Sequence, residues 1–301
     1  MTAAPASVVY FGTPEVAVPP LRALNRAGHD VALVVTRPPK RRGRRQAPTP
    51  SPVAAAAAEM GLAATNDLSD ALHVEADLGI VVAYGEYISG EVLERRRTVN
   101  LHFSLLPRWR GAAPVERAIL AGDTETGVCL MDVASEIDAG AVYRRASTPI
   151  EPQETATELR ARLCELGVGL LLDAMREGFG EPAPQSGETT WAGKISAEEL
   201  RIDWSAPAEQ VLRLVRVGGA WTTFRNRRLK VLEARPAAGT GQPGAAGTIA
   251  LAPRTGDGPA VQVAAGIGAV EPVTVQSEGR AAAPARHWAN GAHITGGERF
   301  E

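Results

Sequence analysis

Along the first half of the chain the apolar residues gather in short unbroken runs, and between the runs they fall at helical spacing. The runs are residues 8–11 (Val-Val-Tyr-Phe), 31–35 and 78–84, and a fourth strand is read over 98–103, where apolar residues alternate with Thr98, Asn100 and His102. Unbroken apolar runs bounded by turn residues predict strands buried on both faces. Residues 15–27 carry Val18, Leu21 and Leu24 on one helical face, with Pro14 at the opening and Gly28 at the close. Residues 52–60 are alanine-rich, read as a helix and end at Gly61. Strands alternating with helices predict an α/β fold with a doubly wound, mostly parallel sheet. Such a sheet places its ligands at the carboxyl ends of its strands.

A long helix is predicted over residues 154–177, where Leu159, Leu163, Leu166, Leu170 and Met175 share a face. The pattern then changes. Residues 178–187 are rich in glycine and proline, a helical pattern returns over 206–217, and short runs follow at 229–232, 247–251 and 260–263. Short strands separated by Gly/Pro clusters predict a small antiparallel barrel or sandwich. The chain therefore reads as a first domain over residues 1–186, a linker over 187–205 and a second domain over 206–301.

Composition excludes several classes. Apolar residues make up 45% of the chain and charged residues 22%, as in an ordinary folded protein. No apolar stretch approaches the roughly 18–20 residues that a membrane helix needs. Residues 1–7 lack the charged and apolar regions of a secretory leader. Cys129 and Cys164 have no metal-binding or redox spacing and read as buried thiols in a reducing cytoplasm. The five histidines are scattered, so no metal site is expected.

The most informative stretch runs Asn100-Leu101-His102-Phe103-Ser104-Leu105-Leu106-Pro107-Arg108-Trp109-Arg110-Gly111-Ala112-Ala113-Pro114. Asn100 and His102 are two apart on a predicted strand, so their side chains share a face. Buried polar groups need partners or cost about 1–3 kcal/mol each. Downstream, Asp138 adds a carboxylate in a predicted loop. An Asn, a His and an Asp suit acyl transfer without a covalent intermediate: an amide donor for an oxyanion, an acid or donor, and a carboxylate that orients it. The same Asn and His could equally do no more than cap a loop.

Gly12-Thr13-Pro14, Pro50-Ser51-Pro52-Val53, Val82-Ala83-Tyr84-Gly85, the 100–114 block, Ile137-Asp138-Ala139-Gly140, and Arg201-Ile202-Asp203-Trp204-Ser205 occur in one order. In that order they resemble the folate-dependent formyltransferase family, in its methionyl-tRNA branch, over nearly the whole chain. The resemblance implies a Rossmann-like catalytic domain and a C-terminal barrel similar to an OB-fold. It implies transfer of the formyl group of 10-formyltetrahydrofolate, a co-substrate, to the α-amine of methionine on initiator tRNA, with no metal. By matching motif positions, Asn100, His102 and Asp138 carry over as the catalytic trio. Ser104, Leu105, Leu106 and Pro107 carry over as folate contacts, and the loop at 82–87 as a wall of the pterin pocket. The expected setting is a cytoplasmic monomer.

The formal net charge of −2 hides a strong asymmetry. Residues 37–45 hold six basic residues and no acid, residues 206–301 carry a net +4, and residues 1–205 a net −6. A charge run is usually a solvated loop, but a Lys/Arg cluster also neutralises phosphates. The family resemblance implies a basic loop that meets the acceptor end of tRNA, with Arg44 and then Arg42 as its contacts. Arg225, Arg227, Arg228 and Lys230 cluster on one predicted hairpin of the second domain. Arg95-Arg96-Arg97 reads as a solvated turn, and Trp221 as a core anchor of the barrel.

Overall fold

Through the first two thirds of the chain the elements run β1 (Ser7–Gly12), α1 (Val18–Arg26), β2 (Asp30–Val35), α2 (Pro52–Glu59), β3 (Ala64–Thr65), β4 (Leu78–Val82), α3 (Gly90–Arg95), β5 (Arg97–His102), β6 (Arg110–Gly111), α4 (Pro114–Ala121), β7 (Glu125–Asp132), β8 (Val142–Pro149), α5 (Ala156–Glu177) and β9 (Trp191–Ala192). They come from a computed structural model that describes residues 6–41, 47–237, 244–252, 260–295 and 297–301. The chain divides into two compact units. One comprises Met1–Arg117, Thr124–Ile150 and Glu158–Lys194, the other Ala118–Asp123, Glu151–Thr157 and Ile195–Glu301.

In the first unit the described residues form a seven-stranded sheet in the order β3-β2-β1-β4-β5-β7-β8. The first five strands are parallel, because helical crossovers return the chain to the same edge. β7 runs antiparallel to β5, and β8 antiparallel to β7. The sheet is thus mostly parallel, with an antiparallel hairpin at one edge. β1 from Val8 onward and all of β4 are buried and nearly all apolar, as strands flanked by helices must be. On one face α5 reaches β5 so closely that a Cβ on Gly167 would lie 2.8 Å from Leu101 Cδ2.

Local chemistry sets the element ends. The expected helix over 15–27 is divided into a 3-10 turn at Glu15–Ala17 and α1 from Val18. Pro19 and Pro20 lack an N–H and fit only a first turn, so the α-helix begins at them. α2 opens on a Ser51 cap whose Oγ accepts from Ala54 N at 3.0 Å and meets Thr36 Oγ1 at 2.7 Å. Ser51→Ala is expected to cost about 1–2 kcal/mol, since it removes the cap and leaves a buried hydroxyl with one partner fewer. Urea unfolding of the two proteins measures this. The basic turn at 95–97 is not uniformly solvated. Arg96 is 8% exposed, and its Nη2 donates to the carbonyls of Ala71 and Val74, both at 2.7 Å. Those two bonds tie the 3-10 turn at Leu68–Leu72 to the start of β5.

The second unit contains α6 (Ala208–Val217), β10 (Trp221–Phe224), β11 (Arg227–Pro236), β12 (Ile249–Ala252), β13 (Ala260–Ala264), β14 (Ala269–Ser277), β15 (Ala283–Pro284) and α7 (Ala285–Gly291). Its sheet has the order β10-β11-β14-β13-β12, with β15 against β14, and all its pairs are antiparallel. It forms a curled half-barrel. Val211 and Val215 of α6 and Ala285 and Ala289 of α7 join Val231, Val261, Val263 and Val275 of the sheet in one core. Trp204 stacks on Phe300 with centroids 5.5 Å apart, and Trp288 and Phe224 close the aromatic cluster. Trp221 is not part of this core. It is half-buried, donates Nε1 to Ala197 O at 2.8 Å and lies under the Arg228 guanidinium at 4.0 Å. Among the described residues no helix is long and apolar enough to cross a membrane.

Candidate active site

Asn100 and His102 leave β5 on one face, as their spacing requires. β5 lies between parallel β4 and antiparallel β7, where the sheet changes direction. After His102 the chain turns back sharply. Ser104 Oγ donates to Arg108 O at 2.6 Å, Arg108 N donates to Leu105 O at 3.1 Å, and the Leu106–Pro107 bond is cis. Trp109 then adopts φ +63°, which aims its carbonyl at His102 Nε2 at 2.9 Å. A carbonyl only accepts, so Nε2 carries the hydrogen. The other ring nitrogen, Nδ1, faces Asp138 Oδ2 at 3.5 Å.

Asp138 lies 38 residues beyond Asn100 and is brought to it by the β7–β8 connection. Its Oδ1 accepts from Asn100 Nδ2 at 3.1 Å and its Oδ2 from Gly111 N at 2.8 Å. The carboxylate is therefore the hub of the site, joined to the amide, the imidazole and a main-chain donor. It is 14% exposed and the His102 side chain 6%, so water has limited access to the pair. The Asn100 amide has a second N–H beyond the one given to Asp138. The three residues thus present two kinds of donor beside one carboxylate. Among the described residues no cluster of His, Cys, Asp or Glu could hold a metal ion.

The four residues at 104–107 line the turn that follows β5. Ser104 and Leu106 are buried, and Leu106 packs with Cys129, Met131 and Val142. Leu105 and Pro107 are half-buried. The loop at 82–87 leaves β4 next to β1, where the order of strands reverses. Ala83 and Gly85 have φ of +47° and +80°, and Thr13 Oγ1 donates to Tyr84 O at 2.8 Å. Glu86 pairs with Arg37 at 2.9 Å, so the first cation of the basic run is already engaged by a carboxylate. Arg42 and Arg44 lie outside the described residues.

Sequence reasoning missed a second layer around the trio. Thr190 Oγ1 accepts from Trp109 N at 2.8 Å, and β9 pairs with β6. Gln185 contacts the Asp138 loop and Arg110. These residues sit in a Gly/Pro-rich stretch whose composition signals only a connection.

The match with known proteins covers both units. Residues 6–175 match the formyl transferase family model and residues 194–293 that of the formyl transferase C-terminal domain. A methionyl-tRNA formyltransferase of Roseobacter denitrificans is 40% identical over 98% of this chain and 98% of its own length. The chain belongs to the methionyl-tRNA formyltransferase family. Another family member, from Streptomyces coelicolor, is 42% identical over 97% of this chain and 98% of its own. The fold recurs in HypX from Aquifex aeolicus, solved in complex with tetrahydrofolic acid. The two superpose with a TM-score of 0.67 at 19% identity, over 96% of this chain and 48% of that one. For the formyltransferase family, the first matched region holds Asn100, His102, Asp138 and the 104–107 turn, and the second holds the arginine-bearing hairpin.

Proposed function

We propose that the protein transfers the formyl group of 10-formyltetrahydrofolate to the α-amine of methionyl initiator tRNA, as a cytoplasmic monomer. The observation that carries this reading is the Asn100–Asp138–His102 constellation on a chain that matches a methionyl-tRNA formyltransferase over 98% of both lengths. Residues 1–186 carry the chemistry, 187–205 connect, and 206–301 hold the tRNA.

Each trio member has a role its geometry supports. The neutral α-amine attacks the formyl carbon, a C–N bond forms, and the carbonyl oxygen becomes an oxyanion. The spare N–H of Asn100 stabilises that oxyanion, joined by the Nε2–H of His102 as it exchanges the Trp109 carbonyl for the developing charge. Asp138 orients both donors and, through water, takes the proton that the amine gives up. The bond from the formyl carbon to N10 of the donor then breaks, and a proton goes to N10. The 104–107 turn and the 82–87 loop hold the folate, with Ser104 and Leu106 contributing main chain because their side chains are buried. Holding amine and formyl donor together supplies several kcal/mol of the barrier.

The tRNA contacts are Arg42 and Arg44 in the basic run and the arginines of the second unit. There Arg225 and Asn226 both have positive φ, as a two-residue hairpin turn requires. On β11 Leu229 and Val231 point into the core, which turns Arg228 and Lys230 to the opposite, exposed face. Arg225, Arg227, Arg228, Arg280 and His287 line an open cavity of about 560 Å3 with Phe224 and Trp288 on its wall. Arg225 is held by Glu298 and by Ala292 O. Removing Arg227, Arg228 and Arg280 together is expected to weaken tRNA binding. The slope of log affinity against log salt should also flatten, by about one for each phosphate left without its arginine. Affinity that barely changes across a salt titration of the parent protein would exclude phosphate contacts. The activity itself is tested with charged initiator and charged elongator tRNA. Initiator tRNA should be formylated much faster. Equal rates, or activity confined to small amines, would refute the assigned acceptor.

A further inference from the structure

The Asp138 carboxylate sits on an exposed loop. Ser135, Glu136 and Ile137 face solvent, and Asp138 itself adopts φ +49°, a left-handed conformation that aspartate tolerates better than most residues but that gains from support by its surroundings. That support comes from Gln185, in the stretch after α5. An antiparallel bridge places that stretch: Val142 N donates to Ala183 O at 2.8 Å and Ala183 N to Val142 O at 2.9 Å. Gln185 then lies over the loop. Its Nε2 donates to Asp138 O at 2.7 Å and to Gly140 O at 2.8 Å. Its Oε1 accepts from Arg110 Nε at 3.0 Å and Nη2 at 2.8 Å. Arg110 also reaches Glu136, on the near side of the same loop. All of the amide's donors and its oxygen are thereby committed, and one side chain grips the main chain at and after Asp138.

We infer that Gln185 is a positioning residue for formyl transfer: by gripping the carbonyls of Asp138 and Gly140 it holds the Asp138 carboxylate against Asn100 and His102. This rests on the role proposed for Asp138. Gln185 touches no reacting atom, and its effect passes through the loop. Arg110 fixes the orientation of the Gln185 amide, because a guanidinium can only donate and so selects the oxygen.

The chemistry separates this role from a merely structural one. Gln185→Glu keeps the shape and the acceptor for Arg110 but turns an oxygen toward two carbonyls. Gln185→Met keeps the length and offers no donor. Both variants are expected to lower kcat about tenfold, since displacement of a catalytic group by a fraction of an ångström has effects of this order. KM for the formyl donor, and binding of 5-formyltetrahydrofolate by calorimetry, should stay within about twofold, because the folate walls are untouched. Rates are read on protein that melts cooperatively. If Gln185→Glu does not fold, Gln185→Met carries the test. A kcat within about twofold of the parent, or a loss that appears in KM for the formyl donor instead of kcat, would overturn the inference. Asp138→Asn in the same assay separates the two levels. An inactive Asp138→Asn beside an active Gln185→Glu overturns only the role of Gln185, whereas a parent protein that leaves charged initiator tRNA unformylated overturns the function itself.

Discussion

Asp138→Asn is expected to lower kcat for formylation of charged initiator tRNA about a thousandfold, within the range a positioned acid–base group contributes. The carboxylate accepts from two donors, Asn100 Nδ2 and Gly111 N, and faces the His102 ring. An asparagine has one acceptor oxygen and one NH2, so one of these donors must then meet another donor. It also loses the capacity to take a proton from the amine. His102→Ala should fall in the same range, and it leaves the Trp109 carbonyl without its partner. Because the three side chains form one hydrogen-bonded unit, double substitutions should cost little more than single ones. Rapid-quench measurement of the first turnover with saturating folate isolates the chemical step. An Asp138→Asn protein within about tenfold of the parent would remove Asp138 from the mechanism.

The parts of this protein that the sequence makes legible are those governed by local periodicity. The apolar runs of β1, β2 and β4 fall where strands form, because a strand covered on both faces needs an unbroken run, while β5 shows itself by two-residue alternation. The two-residue spacing of Asn100 and His102 places them on one face for the same reason. What stays hidden depends on contacts between distant residues. β7 contains an equally apolar run, Val128–Met131, yet nothing in that run shows that it pairs antiparallel with β5 and with β8. Asp138 has no periodic relation to β5, and only motif resemblance connects it to the site in the sequence. Arg96 stands in a row of three arginines, and only the fold shows which of them turns inward to the Ala71 and Val74 carbonyls. Trp221 illustrates the converse. A tryptophan just ahead of the predicted hairpin reads as a core anchor, but it sits on the face that carries Arg228, while Phe224 and Trp204 occupy the core. Gln185 carries no local signal at all, since a glutamine in a Gly/Pro-rich stretch resembles any connection.

The second large effect is expected at Gly140, where a single methyl group should stop catalysis without touching a reacting atom. A Cβ built on Gly140 lies 1.9 Å from Asp132 O and 2.7 Å from the Asp132 carbonyl carbon. Main-chain atoms cannot swing aside as a side chain can, so one strand end must move by more than about 1 Å to reach van der Waals contact. The Asp132 side is braced. Asp132 N donates to Ala141 O at 2.9 Å, and Tyr143 OH donates to Asp132 Oδ1 at 2.6 Å. Burial and the Asp132 carboxylate push the Tyr143 phenol up to about 12, so it remains a donor throughout the neutral range. The Asp138 side is the exposed one, and it yields. Displacing it pulls the carboxylate from His102 and Asn100 and strains the two carbonyl bonds to Gln185. A displacement of about 1 Å at a catalytic group costs on the order of a hundredfold, so Gly140→Ala should lose at least about that much in kcat. Thermal stability should fall modestly, by about 1–3 kcal/mol for overpacking at one site. Calorimetric binding of 5-formyltetrahydrofolate should persist, because the atoms nearest the added methyl belong to Asp132 and not to the 104–107 turn or the 82–87 loop. A Gly140→Ala protein with near-parental kcat would mean that the β7–β8 connection can shift without carrying Asp138 with it, and the carboxylate's position would then have to be fixed by Gly111 and Asn100 alone.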